Sequence, residues 1–585
     1  MKPSTRGPVL PIIPAYDPGE PGKRARQDVR TTSKRLDRLA DRLAVLAARR
    51  ARPAGGFVSQ PEPRSIGLYP RGKQLVSGNI LLAGHLAEAP GVSLWDIAAP
   101  ERFLAEAQGF GWLDDLVALG TKEAQGRAQD WTWGWIDRYG GGKGPGWTPD
   151  LTGRRIIRWV HHATYLMQVR DRVQSAAFYA ALSRQAAYLA RRWRSAAEGL
   201  PRFEALTGLV YAGISLIGME GLVAPASAAL AAACEADIDA EGGIPTRNPE
   251  ELLEVLTLLT WSASAMSEAN LTVPPPLSAA ITRIAPALRG LRHADGELAR
   301  FHGGDRGEEG RLDQALAAAG VRAGSTPSIA MGYARLHGGR TSVIVDASAP
   351  PGGRAARTAH ASTSAFELCS GRRALVVNCG PGAGFGTDWW RASRATASHS
   401  TLGMEGVSSS RLGAEGEALE HRAQVTSSRL TMGTEGADLY LAHDGWLSSH
   451  GLTASRSLTL AQDGRRLSGV DALTAMTAEA RRRFEDVMTQ TAMAGARFAI
   501  RFHLHPEVDA TLDMGGAAVS MALRSGEIWV FRFTGQADLA LEPSAYLETG
   551  RVNPRPCLQI VLHGQARGFE TRIGWTLAKA KDTPL

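Results

Sequence analysis

The amino-acid sequence predicts an α+β multidomain chain, in which paired helices forming an (α/α) toroid or a solenoid precede a large antiparallel β-sandwich. Three observations carry this expectation. The 585 residues exceed what one hydrophobic core supports, so two large domains are expected. Between about 100 and 320 the apolar residues recur at helical spacing. From about 328 onward they alternate, with no helices interleaved to favour a parallel sheet. The domains that follow are a mobile basic arm over 1–30, a helical domain over 31–325 and a sandwich over 326–585.

Residues 1–30 are rich in proline and charge and show no apolar periodicity, as expected of an arm. Their short apolar stretch is broken by Pro11 and Pro14, so no secretory signal is read there. A cytoplasmic location is expected on that ground, with the periplasm as the alternative. Thr31 to Ala51 reads as a helix with Leu36, Leu39, Leu43 and Leu46 on one face and Arg and Asp on the other. Segments such as RRIIRWVHHATYLMQVRDRV and EELLEVLTLLTWSASAMSEA continue the helical pattern between Gly/Pro loops. The most apolar stretch, Leu206 to Cys234, is interrupted by Glu220 and Pro225; it predicts a buried helical hairpin and no transmembrane segment. Beyond 328, SAFELCSGRRALVVNCG and SMALRSGEIWVFRFTG alternate around Gly-containing turns, the signature of hairpins.

The formal charge is +8, but residues 1–60 hold thirteen Lys and Arg against five Asp and Glu, so the folded body is nearer neutral. Such a balance suits an anionic glycan as readily as nucleic acid, and no specific nucleic-acid partner is expected. Cys234, Cys369, Cys379 and Cys557 show no CxxC spacing, which argues against a zinc ribbon or a disulfide scaffold; buried free thiols are expected, with Cys369 facing Cys379 across a strand pair as the alternative.

Three motifs narrow the function. HASTSAFEL (360–368), LVVNCG (375–380) and RATASHSTL (394–402) follow one another in the sandwich half. Their order and spacing resemble linked motifs of the heparinase II/III-like family of polysaccharide lyases. SLWD (93–96), LRHADGELARFHGG (291–304), HDGW (443–446) and RFHLHP (501–506) extend the resemblance over roughly residues 65–580. It implies a toroid followed by a sandwich, and β-elimination on a uronate-containing polysaccharide or oligosaccharide. It also implies a divalent metal, zinc or similar, on His360, Asn378 and His399, with Asn378 standing where the family has aspartate. The competing reading of these three residues is a hydrogen-bonded polar cluster without an ion.

A uronate lyase must neutralise the sugar carboxylate, remove the adjacent proton and protonate the leaving oxygen; each acid or base is worth about two to four orders of magnitude in rate. Against the family pattern, Thr358 stands where a second histidine is common. Arg202, Phe203 and Glu204 stand near an expected Asn-His pair, and Asn248 and Glu251 near an expected tyrosine. The catalytic candidates are therefore His399, Arg394 and Tyr333, the last a substitute acid. Arg335, on the same strand face as Tyr333, would receive a carboxylate; the competing reading is a packing tyrosine beside a surface arginine. Arg247 and Asn248 would bind substrate through a guanidinium fork and an amide, or Asn248 would simply cap the helix opened by Pro249. Trp389 and Trp390 are the aromatics expected to stack on sugar, whereas Trp131, Trp133, Trp135, Trp147 and Trp159 read more readily as packing residues. Two further functions stay open: a glycan-binding or assembly protein that lost the chemistry, and a glycoside hydrolase using carboxylates such as Asp237, Asp239, Glu241 and Glu251.

Overall fold

The computed structural model describes residues 31–322, 324, 326–413 and 416–580, with side chains from residue 39 onward. The arm expected over 1–30 lies outside the described residues. Helix α1 (Thr31–Ala48) packs on the helix Arg172–Arg192, and further helices follow in pairs to Arg311–Ala318. One departure from the all-helical expectation is a hairpin of Asn79–Leu82 with His85–Glu88. Its four-residue strands are too short to alternate visibly in the sequence.

The helix boundaries have local causes. Asp171 and Gln174 form a reciprocal capping box ahead of Arg172–Arg192. Asn248 accepts from the backbone N–H groups of Glu250 and Glu251, and Pro249 opens Pro249–Glu268. Leu200–Ser215 and Val223–Asp237 form the hairpin expected from the apolar run. Trp131, Trp135, Trp147 and Trp159 are buried in this domain, Phe110 packing edge-on to Trp135 and Trp159. Helices Pro149–His161 and Leu200–Ser215 approach closely because both carry glycine at the crossing. A Cβ at Gly208 would lie 2.5 Å from Gly153 Cα. Gly208→Ala is therefore expected to cost a net ~1–2 kcal/mol in chemical denaturation, overpacking strain outweighing the gain in helix propensity. A raised midpoint would speak against this close crossing.

Among the described residues the C-terminal domain holds an eight-stranded and a nine-stranded antiparallel sheet. The first runs in the order 425–433, 436–446, 452–461, 466–474, 570–579, 528–534, 518–522, 509–513. The second centres on Arg373–Val377, Phe366–Ser370, Thr341–Asp346 and Ala496–Leu504. Between the sheets Phe366 stacks on Trp575 and Phe502 meets both edge-on, the inward-facing residues of their strands. Beside them, Arg456 makes a bidentate pair with Asp471, whose second oxygen also accepts from Trp575 Nε1.

The two domains share a core: Met331, Tyr333, Ile344 and Ala365 of the sandwich belong to the same buried cluster as the helices. No described helix is long and apolar enough to cross a membrane. The free cysteines fall as expected, with Cys234, Cys369 and Cys379 buried and Cys557 partly buried.

Candidate functional site

The three motifs converge where the sandwich meets the helical domain. His360 lies in the loop before strand Phe366–Ser370, Asn378 just after strand Arg373–Val377, and His399 after the short turn Thr396–Ser398. All three are buried, as is His302 from the helical half.

A directional hydrogen-bond chain connects the rings. Ala395 O, which can only accept, lies 2.8 Å from His399 Nδ1, so that nitrogen carries the proton and Nε2 is left as an acceptor. His360 Nδ1 then donates to His399 Nε2 across 3.2 Å. His302 Nδ1 accepts from the His360 backbone N–H at 3.1 Å, which places the His302 proton on Nε2, 3.5 Å from Asp346 Oδ2. Burial holds His302 and His360 well below the usual imidazole range and pushes His399 down to about 4. The rings are therefore neutral at pH 7. His360 Nε2 remains as the lone pair of the chain; a Cβ at Gly303 would come within 3.7 Å of it.

The neighbouring candidates are engaged in holding backbone. Arg394 donates to Ala356 O, Ala359 O and Glu417 O and lies under the Trp390 ring, 4.7 Å from its centroid. Burial pushes its pKa down to about 10. Tyr333 is 1% exposed, and its hydroxyl donates to Arg247 O at 2.5 Å. Arg247 is 1% exposed and donates to Met331 O, Gly332 O, Ala349 O and Asp346 Oδ1, the last at 2.6 Å. Asn248 is the helix cap already described. Arg335 donates to Gly290 O and Arg292 O, tying the domains together. Trp390 packs on Arg394, whereas Trp389 is 38% exposed on the helix Thr387–Ser393. Tyr333, His360, Asn378, His399, Arg394 and Arg247 thus gather at one locus, and Arg335 and Trp389 lie outside it.

Three residues of this locus were not singled out from the sequence. His302 is the histidine of FHGG (301–304), Glu367 sits in HASTSAFEL, and Asp346 closes strand Thr341–Asp346. Glu367 Oε1 accepts from both the backbone N–H and the side-chain amide of Asn378. The one carboxylate inside the HASTSAFEL motif is the signal that could have found it. His161 and His162 diverge as adjacent helical residues must: His161 packs edge-on against Tyr211 and Trp261, and His162 pairs with Asp114. His503 bridges Ser544 and Ala397 O.

A family metal would need at least three protein ligands. His360 offers Nε2 alone, and both ring nitrogens of His399 are taken, by Ala395 O and His360 Nδ1. Asn378 Oδ1 is a neutral oxygen that accepts from Ser400 N at 2.9 Å, and its amide nitrogen is committed to Glu367. The described residues contain no group of three His, Cys, Asp or Glu side chains placed to hold an ion. This donor set does not fit a zinc site. Nor is there room for substrate in the space enclosed by Ser65, Asp114, Arg158, Trp261 and Arg311, whose ≈20 Å³ fits about one water.

Comparison with known proteins supplies the context. Residues 323–576 match the model of the heparinase II/III-like C-terminal domain. FtsZ-localized protein C of Caulobacter vibrioides is 32% identical over 547 residues, 91% of each chain. The crystal structure of heparinase III superposes with a TM-score of 0.67 at 13% identity, over 93% of this chain and 90% of that one. Heparan sulfate lyase HepC from Pedobacter heparinus gives 0.55 at 12% identity, over 94% and 89%. At those identities the structures share the fold, a toroid followed by a sandwich. With this architecture, these motifs and the full-length relative, the chain belongs to the heparinase II/III-like family.

Proposed function

We propose that this chain is a glycan-binding assembly protein that keeps the lyase scaffold without performing β-elimination, and that it localises with FtsZ as its relative's name says of that protein. The observation that carries the reading is the engagement of every candidate proton-transfer group. The Tyr333 hydroxyl is buried on a carbonyl, His399 uses both ring nitrogens within the protein, and Arg394 spends its guanidinium on three carbonyls. A lyase acid or base must reach the substrate within hydrogen-bond distance. Exposed Trp389 supports retained glycan contact, because a flat aromatic face can stack on a pyranose ring.

Two measurements test this. Incubation with a panel of uronate polysaccharides is expected to yield no ultraviolet-absorbing unsaturated product, with or without divalent metal. Binding to an anionic polysaccharide is expected to persist and to weaken roughly fivefold in Trp389→Ala, about 1 kcal/mol. Product formation that His399→Ala abolishes would restore the lyase reading. A labelled chain that ignores FtsZ polymers would remove the localisation.

A further inference from the structure

Helix α1 has two apolar faces, and the protein uses one. Ala44, Val45 and Ala48 are buried at 8%, 3% and 1% exposure against the helix Arg172–Arg192. Asp41 locks that orientation by accepting from Arg192 Nε at 2.7 Å and from the Tyr188 hydroxyl at 3.0 Å, and Arg49 donates to Gly141 O. On the opposite side Leu39, Leu43 and Leu46 stand 53%, 58% and 52% exposed. Leucine is rarely left so open three times on one helix face, and the anchoring contacts prevent the helix from turning that face inward.

The spacing of the leucines identifies what fits them. Steps of four and then three residues form the narrow seam of a coiled coil, not the broad stripe of about 100° or more that a globular core or a lipid surface takes. The seam is edged by small Ala40 and Ala47 on one side and by Arg42 and Arg49 on the other. In a parallel pair of identical helices, Arg42 would lie beside Ala47 of the second copy, with no like charges opposed. An antiparallel pair would bring the arginine edges together.

We propose that a second copy of this chain docks along this seam, α1 against α1 in parallel, giving a two-fold symmetric dimer. The test uses the full chain. Wild type is expected to sediment at twice the monomer mass at micromolar concentration. Leu39→Glu/Leu43→Glu is expected to be monomeric, its affinity reduced at least 100-fold, with thermal unfolding of each monomer unchanged because these side chains face solvent. Leu43→Cys should yield a covalent dimer on mild oxidation, since a seam position meets its own copy across a parallel pair. Val169→Cys, at a site 96% exposed, and wild type should not. Three results would overturn the proposal: a monomeric wild type, a dimer that survives the double substitution, or leucine-dependent binding to anionic phospholipid vesicles by a chain that stays monomeric.

Discussion

Acidification from pH 7 to about 4.5 is expected to unfold this protein, because its buried histidines must take up protons that the fold refuses. His161, His302, His360, His399, His443 and His503 are each at most 4% exposed. Burial holds the pKa of His302 and His360 well below 6.5 and pushes His161 and His503 to about 3, and His399 and His443 to about 4. Between those values and 6.5 the unfolded chain binds protons that the native one does not. The stability they contribute is therefore complete above pH 6.5 and is lost as the pH falls.

Carboxyls of the helical domain act the other way. Desolvation pushes Asp115, Glu204 and Glu250 up to about 7, so the fold binds their protons first and gains from them as the pH drops toward the ordinary carboxylate range. Six groups against three leave about three protons taken up on unfolding, or about 4 kcal/mol per pH unit at ~1.4 kcal/mol each. Two pH units then exhaust much of a stability of about 5–15 kcal/mol. Urea titrations from pH 7.5 to 5, followed by tryptophan fluorescence, check the slope; a flat dependence would mean that solvent reaches these rings.

Arg247→Met is expected to lower stability by about 3–5 kcal/mol, the cost of leaving one member of a buried ion pair uncompensated. Arg247 and Asp346 are 1% and 0% exposed at the side chain, and their bond spans the boundary between the helical domain and the sandwich. The same guanidinium satisfies three backbone carbonyls and lies 4.6 Å from the Tyr333 ring centroid. Its own backbone sits at φ +51°, a left-handed conformation that these bonds hold in place. Asp346→Leu alone should be comparably damaging, since it also deprives Ser362 of an acceptor. The double variant should cost less than the sum of the two, because it leaves no unpaired charge. Equilibrium denaturation measures this cycle, and a loss below about 1 kcal/mol for Arg247→Met would show that the boundary is held by apolar burial alone.

Much of the architecture was legible in the sequence because helix and strand periods are local properties. The shift from helical to alternating spacing near residue 328 fell where the helical domain gives way to strands at Ile329–Ala330. The three sandwich motifs meet in space, His360 on His399 and Asn378 on the backbone N–H of Ser400. The short hairpin at 79–88 escaped because four residues cannot display a period.

What tertiary structure alone decided is which groups are free to act. The pattern on α1 identified an amphipathic helix, but only the contacts of Asp41, Val45 and Ala48 determined that the leucines face outward. Arg247 and Tyr333 each admitted a substrate-facing and a purely structural reading, and their partners Asp346 and Arg247 O lie 99 and 86 residues away. His302 meets His360 from 58 residues away. Burial and hydrogen-bond satisfaction are sums over neighbours brought in by the fold, so a residue's own sequence neighbourhood specifies its chemistry but not whether that chemistry is already taken.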